Sequence, residues 1–465
     1  MKYVSLILYS LLMSVTAVSA NESGIVDVHS HIMTEEYIAS LGSHNALMDD
    51  GYPLPDWSED AHIAFMDSAG ISKSVLTLSS PQPWFGDVDE SRAVIRSVNE
   101  AMASAKSHHP DRFLWCAALP QPDVDACIAE AVYALDSLKA DGIKLATNVA
   151  GQYLGDPELD PLMKTLNDRK AVLIIHPVKP VPVNDSVFTG GPIFVYEYPA
   201  ETTRAVINMI AHDVMVRYPD IKVVVPHAGS FLPYAIPRLR NGYPLLLSKG
   251  ITKPFDIDGN LKNLYYDIAG GPSPEVIKML LGITSPDHIM YGSDYAFVPS
   301  PILAKGLGNL VKAIDADPVL KPYKEMLLHE NAERLFGLSD KPVSLPVGMC
   351  AKEPVQPDGI VRLSKIEVFP EMLDEYMEYA MEVGTTSLLT EPGVLTMYAV
   401  ADKENPCNIT ILETYASQEA YKKHIASPHF QKYKQGTLKM VKSLILDDVT
   451  PLNPDNQLIN FIVVH

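Results

Sequence analysis

Ile25-Val-Asp-Val-His-Ser-His31 is the stretch from which the fold and the chemistry of this chain are predicted. It reads as a short apolar strand that ends in two histidines. Alternate residues of a strand project to the same face, so His29 and His31 point the same way. Two converging imidazoles are what a borderline metal such as zinc requires. The alternative is a pair of surface histidines in a turn. The choice between the two depends on whether other strands of the chain also end in possible metal ligands.

Short apolar strands alternate with helical segments from residue 25 to about residue 337. The strands are rich in Val, Ile and Leu, which indicates parallel pairing with both faces buried. The predicted strands are 25–29, 73–78, 113–119, 142–146, 171–176, 221–226, 264–268 and 288–291. The predicted helices are 58–69, 89–108, 123–139, 158–169, 199–217, 231–247, 273–281 and 302–336. Eight such units predict an α/β fold, with a (β/α)8 TIM barrel favoured over an open doubly wound sheet.

The C-terminal ends of several predicted strands carry further metal-binding residue types. The fifth strand ends at His176, the sixth is followed by His227, and the eighth leads into Asp294. Barrel enzymes carry their catalytic residues at this end of the strands. Four histidines and one aspartate on the same rim therefore favour a metal site over a pair of surface histidines.

Five motifs lie at or near these strand ends: Asp27-Val-His-Ser-His31, His176-Pro177, Pro226-His-Ala-Gly229, Tyr291-Gly-Ser-Asp294 and Asn331-Ala-Glu-Arg-Leu-Phe-Gly337. Together they resemble the amidohydrolase superfamily over about residues 24–340. The branch they resemble contains aminocarboxymuconate-semialdehyde decarboxylase and gamma-resorcylate decarboxylase.

The resemblance implies an enzyme with one divalent metal ion, Zn2+ being expected and Mn2+ the alternative. It implies four metal ligands, His29, His31, His176 and Asp294, and a catalytic acid or base at His227, with Asp294 also taking part in proton movement. The implied reaction is non-oxidative decarboxylation of a small cyclic or unsaturated carboxylate. Hydrolysis of an ester, lactone or C–C bond by the same residues is the alternative.

Lys144, in the fourth predicted strand, is a tempting extra ligand. Relatives with two metals use a carbamylated lysine on this strand, but no further carboxylate on this rim requires a second ion. We therefore predict one metal, with Lys144 structural or facing the substrate.

Candidate substrate-binding residues lie in the loops and helices that follow the strands. Tyr196, with Phe194 and Tyr198, belongs to a long loop after the fifth strand, and Trp84 follows the second strand. These rings would form the walls of a site for an aromatic or unsaturated substrate, or else pack beneath a lid. Arg238, in the helix after His227, would pair with a substrate carboxylate, or else be a solvated helix residue.

The composition changes beyond residue 340. Residues 21–340 are predicted as the barrel, 341–358 as a proline-rich linker, 359–450 as a second domain and 451–465 as a tail. The second domain has a βαββαβ order, which is the ferredoxin-like arrangement. Its elements are strand 360–368, helix 370–389, strands 394–401 and 408–415, helices 418–426 and 428–440, and strand 441–449.

This second domain resembles the antibiotic-biosynthesis-monooxygenase family in Glu391-Pro-Gly-Val-Leu395 and in the segment from Glu413 to Phe430. The resemblance implies a domain that pairs with a second copy, so we expect a homodimer. A second active site, acting as a cofactor-free quinol-type monooxygenase, is the alternative.

The first 20 residues read as a signal peptide. Lys2 precedes an apolar run, and Val18-Ser-Ala20 is a small-residue cleavage site, which predicts export to the periplasm in a bacterium. The formal net charge of −20 argues against a nucleic-acid partner or an anionic membrane surface. We expect a small-molecule substrate and no membrane association after signal cleavage.

Overall fold

The structure is a computed structural model that describes residues 24–180, 182, 191–317, 319–341, 343 and 352–452. The described chain forms two compact units. One contains the residues up to Thr284, together with His288–Asn309 and Met326–Asp340. The other contains Ser285–Asp287, Leu310–Glu325 and the residues from Lys341 onwards. The predicted signal peptide, residues 342 and 344–351 of the predicted linker, and residues 453–465 of the tail lie outside the described residues.

Eight parallel strands form the sheet of the first unit, in the order β1-β2-β3-β4-β7-β8-β9-β10. They are β1 (Ile25–Ile32), β2 (Ile71–Leu78), β3 (Phe113–Ala118), β4 (Gly142–Ala146), β7 (Val172–His176), β8 (Lys222–Val225), β9 (Leu264–Asp267) and β10 (Ile289–Met290). Two short antiparallel strands, β5 (Asn148–Val149) and β6 (Gln152–Tyr153), form a separate hairpin.

The sheet closes between its last and first strands. Val28 N donates a hydrogen bond to Tyr291 O at 3.0 Å, and His31 N donates to Tyr295 O at 2.6 Å. Ser30 and Tyr295 form a parallel bridge. Closure confirms the predicted TIM barrel and brings the strand that carries the histidine pair next to the segment that leads to Asp294.

The helices of this part of the chain follow the strands in the alternation that the sequence predicted. They are α1 (Glu35–Ser43), α2 (Glu59–Ala69), α3 (Val88–His108), α4 (Val124–Val132), α5 (Asp160–Asp168), α6 (Glu197–Ala211), α7 (Val214–Arg217), α8 (Leu232–Ser248), α9 (Ile257–Leu261), α10 (Pro274–Leu280), α11 (Ser300–Ala316) and α12 (Asn331–Leu335). π-Helical turns lie at Tyr133–Ser137 and Met326–Glu330, and 3-10 turns at Pro157–Leu159, Ile193–Val195, Pro286–His288 and Lys321–Tyr323.

The predicted single helix over 302–336 is wrong. The chain instead forms α11, a 3-10 turn, a π-helical turn and α12 in succession. Asp317 Oδ1 accepts hydrogen bonds from Val319 N at 2.9 Å and Leu320 N at 3.2 Å, which replaces the helical pattern by a turn. Pro322 follows, and proline has no backbone donor with which to continue a helix.

The C-terminal unit has the predicted βαββαβ order. Its elements are β11 (Ile360–Val368), a 3-10 turn (Pro370–Met372), α13 (Leu373–Thr390), β12 (Val394–Ala401), β13 (Asn408–Tyr415), α14 (Gln418–Ala426), α15 (Pro428–Thr437) and β14 (Val441–Asp448). The antiparallel sheet has the order β12-β13-β11-β14, so β12 and β14 are its edges. The ferredoxin-like α+β prediction is confirmed.

The barrel core lies inside the ring of strands. It consists of small and branched side chains, among them Val26, Val28, Val75, Leu114, Ile174 and Val224. Their burial holds the strands rigidly, so that the residues at the strand ends are held in place as well. None of the helices in the described residues is both long and apolar enough for a membrane span.

Candidate active site

Five residues predicted from the sequence meet at the C-terminal end of the barrel. His29 and His31 lie in β1, and His176 ends β7. His227 follows β8, and Asp294 lies in the segment after β10. Possible ligand atoms of His29, His31 and Asp294 lie within 4.8 Å of one another, and so do those of His29, His176 and His227. The structure therefore brings the whole predicted set to one place.

The separations between ligand atoms fit a shared ion. His29 Nε2 lies 3.1 Å from His31 Nε2, and His31 Nε2 lies 3.2 Å from Asp294 Oδ1. His29 Nε2 is 3.7 Å from the same carboxylate oxygen. Metal–ligand bonds of about 2.0–2.2 Å at angles of about 90–110° place neighbouring ligand atoms about 2.8–3.6 Å apart. Two of the three separations fall in that interval, and the third is slightly longer.

Asp267, which the sequence reasoning missed, orients His29. Its Oδ2 lies 2.9 Å from His29 Nδ1, so the other ring nitrogen, Nε2, is left for a metal. Its Oδ1 accepts hydrogen bonds from His227 N at 3.1 Å and Ala269 N at 3.0 Å. One buried carboxylate thus links a predicted ligand to the turn that carries His227. The sequence feature that could have identified Asp267 is its position at the end of the seventh predicted strand.

The other two histidines are oriented in the same way. His31 Nδ1 lies 3.0 Å from Thr77 Oγ1, and His176 Nδ1 donates to the Pro177 carbonyl at 2.8 Å. Because Nδ1 is engaged in each ring, Nε2 is the nitrogen that each of the three imidazoles could offer to a metal.

Asp27 is a second carboxylate that the prediction did not assign to the site. It is fully buried, and its Oδ1 accepts from His29 N at 3.1 Å and from Ser293 N at 2.9 Å. Burial raises its pKa to about 6 although the Ser293 hydroxyl and backbone donors oppose the rise. Asp27 therefore fixes β1 against the segment that presents Asp294.

The charge states suit metal binding. Burial lowers the pKa of His31 to about 4 and that of His176 well below its usual value. Burial alone would raise the pKa of Asp294, but the His31 hydrogen bond and the neighbouring imidazoles hold it at about 2. His31 and His176 are therefore neutral beside an ionised carboxylate, as catalytic zinc and related ions require. Burial alone would lower the pKa of His29, but the Asp267 carboxylate raises it to about 9, so His29 must lose a proton to join this donor set.

Two of the five residues have left-handed backbones, which are strained for side chains other than glycine. They are His227, with φ 55°, and Asp294, with φ 64°. Ala228, Gly229 and Ser230 continue the left-handed turn at φ 54°, 68° and 55°. Burial lowers the pKa of His227, and its Nδ1 has no hydrogen-bond partner among the described residues.

A cavity of about 650 Å³ adjoins this centre. Its walls include His176, His227 and Asp294. Most of the other lining groups are apolar or aromatic, including Leu47, Tyr52, Leu54, Phe194, Tyr198, Phe297 and Leu303. No lysine or arginine occurs among the described lining residues, so a bound anion would find positive charge here only at a metal or a protonated histidine.

Only some of the predicted substrate-binding residues line the cavity. Phe194 and Tyr198 line the cavity, whereas Tyr196, Trp84 and Arg238 are not among its described lining residues. Tyr196 is 48% exposed, with its ring centroid 5.7 Å from that of Phe231. Trp84 packs against a buried cluster of Ala146, Val149 and Val178, and Arg238 is exposed on α8. These positions agree with the alternative interpretation of each residue, as packing for the two aromatic rings and as a solvated helix residue for Arg238.

Lys144 is buried outside the described lining of the cavity. Its Nζ lies 3.3 Å from both Ser79 O and Gln82 Oε1, and burial lowers its pKa to about 7. These contacts favour the structural interpretation.

The C-terminal unit contains its own cavity, of about 340 Å³. His424 lines it together with aromatic side chains that include Tyr376, Tyr415 and Tyr433. His424 Nδ1 lies 2.8 Å from Glu391 Oε1, and its buried Nε2 has no partner among the described residues. His429 Nε2 contacts the same Glu391 oxygen at 2.7 Å.

Comparison with known proteins covers both units. Residues 26–338 match the family model described as amidohydrolase, and residues 359–436 match the one described as antibiotic biosynthesis monooxygenase. The chain is 30% identical over 339 residues to decarboxylase yanB of Aspergillus niger, which covers 70% of this chain and 90% of that protein. It is 28% identical over 321 residues to 6-methylsalicylic acid decarboxylase of Penicillium expansum, covering 68% and 98%.

A solved structure shows the same fold. The crystal structure of 5-carboxyvanillate decarboxylase from Novosphingobium aromaticivorans, complexed with manganese and 4-hydroxy-3-methoxy-5-nitrobenzoic acid, aligns with a TM-score of 0.60 at 23% identity. The alignment covers 68% of this chain and 96% of that one.

Proposed function

Since this chain belongs to the amidohydrolase family over residues 26–338, we propose that it is a metal-dependent, non-oxidative decarboxylase of small aromatic carboxylates. The curated relatives reported above are decarboxylases, and one of them acts on 6-methylsalicylic acid. The cavity supports this substrate class, because its largely apolar and aromatic wall suits the aromatic ring of such a carboxylate.

The observation that carries the proposal is the convergence of three imidazoles and Asp294 beside this cavity. His29, His31, His176 and Asp294 would hold one divalent ion, and each imidazole already has its Nδ1 engaged elsewhere. A bound ion would supply the positive charge that attracts the substrate carboxylate and stabilises developing negative charge.

His227 and Asp294 are placed to handle the proton. Loss of carbon dioxide breaks the bond between the ring carbon and the carboxylate, and the electron pair stays on the ring carbon, which must then take up a proton. Both side chains line the cavity. Burial lowers the pKa of His227, so its protonated form is a stronger acid toward carbon than an ordinary imidazolium.

Isotope-labelled substrates test this function. The metal-loaded protein is incubated with carboxyl-labelled hydroxybenzoates, and the released gas and product masses are measured. We expect labelled carbon dioxide and a phenol, with little of either from His227→Ala at an unchanged metal content. Hydrolysis of an aryl ester or lactone by the same protein, with no carbon dioxide released from the benzoates, would instead establish the hydrolase alternative.

We propose Zn2+ as the resident ion, because three imidazole nitrogens suit it better than they suit the oxygen-preferring Mn2+. The manganese of the 5-carboxyvanillate decarboxylase structure makes Mn2+ the competing ion. The metal-free protein reloaded with each ion in turn should recover its highest rate with Zn2+. A higher rate with Mn2+ would reverse the assignment.

The C-terminal cavity supports a second candidate function. We propose that it binds a small phenol or quinol, because the unpartnered His424 Nε2 requires a donor and tyrosines surround it. Oxygen uptake by the full chain with a hydroquinone tests whether this unit is also a monooxygenase. Uptake that His424→Ala abolishes would support that activity, and equal uptake by the variant would exclude it.

We propose a homodimer through the C-terminal sheet. The edge strand β14 exposes Leu444, Ile445 and Leu446, and the other edge strand exposes Tyr398 and Val400. Exposed apolar edges of this kind are typical of protein interfaces.

Sedimentation tests the dimer proposal. The double variant Leu444→Glu/Leu446→Glu should be monomeric, while Leu438→Glu, at an exposed leucine outside the sheet, should remain dimeric. A monomeric wild type would contradict the proposal.

We propose that the protein is exported, on the basis of the sequence of residues 1–20. Fractionation of the expressing bacterium should recover the chain in the periplasm, beginning at Asn21. Recovery of an uncleaved chain in the cytoplasm would contradict export.

A further inference from the structure

Asp50 is the acidic residue of the barrel cavity that the proposed reaction does not use. Asp50 and Asp294 are the carboxylates among the described lining residues. The segment that presents Asp50 is held in place, because Asp49 pairs with Lys179 at 2.9 Å and Ile193 N donates to Asp50 O at 3.3 Å. A carboxylate therefore occupies a fixed position in a largely apolar wall.

The polar atoms at this position are incompletely satisfied. Asp50 Oδ1 and Ser80 Oγ are both buried and lie near each other, yet neither atom makes a hydrogen bond of good geometry within the described residues. Burial raises the pKa of Asp50, and the nearby hydroxyls of Tyr198 and Ser80 offset the rise only in part. Asp50 also lines the cavity, so a ligand O–H or N–H group that reaches its carboxylate would supply a donor that the described residues lack.

Tyr198 separates this position from the metal centre. Its ring packs edge-on against His176, with centroids 6.2 Å apart and an interplanar angle of 78°, while its hydroxyl interacts with Asp50. Leu47, Tyr52 and Phe194 provide apolar surface in the same cavity. A ring whose carboxylate is held at the metal centre would therefore have apolar surface around it and one polar position away from its carboxylate.

We propose that Asp50, with Tyr198 and Ser80 beside it, is the specificity-determining subsite for a second hydroxyl group on the aromatic ring of the substrate. The inference rests on the proposed decarboxylase function and names its substrate class, hydroxybenzoates that carry a hydroxyl remote from the carboxylate. The hydroxyl donates to Asp50. The same carboxylate disfavours a second carboxylate on the ring, since like charges repel in a cavity of low polarity.

Substrates that differ only in a second ring hydroxyl measure the preference of the enzyme for that group. kcat/KM is determined for 2-hydroxybenzoate and for its 2,4-, 2,5- and 2,6-dihydroxy analogues with the metal-loaded full chain. We expect the wild type to favour the 2,4- or the 2,5-isomer over 2-hydroxybenzoate by about 10–100-fold, the range for a hydrogen bond to a charged group. A preference for the 2,6-isomer would contradict a polar position remote from the carboxylate. Asp50→Ala should reduce the wild-type preference to about twofold or less. Asp50→Asn should keep part of it, because the amide oxygen still accepts a hydrogen bond.

Asp56→Asn is the matched control, since it removes an exposed carboxylate between α1 and α2 that is not among the described lining residues. This variant should show the same preference among the four substrates as the wild type. Equal loss of activity by Asp50→Ala and Asp50→Asn on every substrate would overturn the inference, as would a wild type that does not discriminate.

A binding measurement separates this inference from the proposed function. The affinities of phenol and of the three dihydroxybenzenes for the metal-loaded protein are compared by calorimetry. A preference for one dihydroxybenzene that Asp50→Ala removes would support the subsite even if no acid were decarboxylated. Release of carbon dioxide without any such preference would leave the decarboxylase standing and reject the subsite.

Discussion

At the residue scale, His29 depends on two buried carboxylates, one in its own strand and one from β9. Asp267 engages its Nδ1, and Asp27 accepts a hydrogen bond from its backbone N–H. Nε2 of the same imidazole lies 3.1 Å from His31 Nε2. The orientation of this predicted ligand is thus fixed by residues outside the proposed ligand set.

Asp267→Asn should weaken metal binding. The amide no longer fixes the His29 tautomer or adds basicity to its ring, and the loss of such a partner typically costs about 10–100-fold in metal affinity. Metal dissociation constants are measured by competition with a chelator. Asp258→Asn, which removes an exposed carboxylate paired with Arg240, is the control and should bind like the wild type. Unchanged affinity in Asp267→Asn would contradict the role given to this residue.

Metal binding should release a proton from His29. Burial alone would lower the pKa of His29, but the Asp267 carboxylate outweighs it and raises the pKa to about 9 in the metal-free protein. Below that pH the ring is protonated, and coordination requires the neutral form, so affinity should rise by about tenfold per pH unit up to about pH 9.

Calorimetry in buffers of different ionisation enthalpy counts this proton. We expect about one proton released per ion at pH 7. A binding enthalpy that does not depend on the buffer would show that His29 is already neutral, contrary to the expectation.

The five central residues were predictable because of where strands end. A closed parallel barrel gathers its strand ends on one rim, so histidines that terminate different predicted strands meet without any knowledge of side-chain contacts. Asp50 was not predictable in this way. It lies in a loop with no periodicity, and its place in the cavity depends on contacts with residues about 150 positions away, such as Ile193 and Tyr198.

At the scale of elements, the turn after β8 positions His227. Four consecutive residues, from His227 to Ser230, have left-handed backbones. Gly229 also lies close to its neighbours, since an added Cβ would be 3.0 Å from Tyr266 Cδ1 and 3.1 Å from Leu280 Cδ2. The turn therefore tolerates little change in volume or backbone angle.

Gly229→Ala should lower both stability and turnover. The left-handed backbone and the close contacts together should reduce the free energy of unfolding by about 1–3 kcal/mol, and His227 should be displaced. Denaturant unfolding and kcat are the measurements. Gly242→Ala is the control, because Gly242 lies in α8 with nothing within 4 Å of an added Cβ, and helical alanine should stabilise the protein slightly. A Gly229→Ala variant as stable and active as the wild type would refute this view of the turn.

The errors in helix prediction have distinct causes. Helix α1 was missed although its signal was present, since Thr34 accepts a hydrogen bond from Tyr37 N and two glutamates follow it. The predicted helix 199–217 divides at Asp213, whose left-handed backbone is held by hydrogen bonds from Asp256 N and Asn260 Nδ2 to its carboxylate. That second cause is tertiary, and no local pattern reveals it.

At the scale of the whole molecule, the change of composition near residue 340 indicated two folding patterns, and two family models match on either side of it. Each unit buries its own core, and each cavity is lined by residues of its own unit. Closure of the barrel was the less predictable feature, because it depends on pairing between Ser30 and Tyr295, at opposite ends of the unit's sequence.

The metal content of the purified full chain tests the central claim most directly. Wild type and His176→Ala are stripped, reloaded with Zn2+ or Mn2+, dialysed and measured by mass spectrometry of the metal, with His212→Ala, at an exposed histidine, as the control. We predict one ion per chain in the wild type and the control, and loss of most of it in folded His176→Ala. Retention of a full ion by His176→Ala, or no bound ion in the wild type, would contradict a metal centre built from His29, His31, His176 and Asp294.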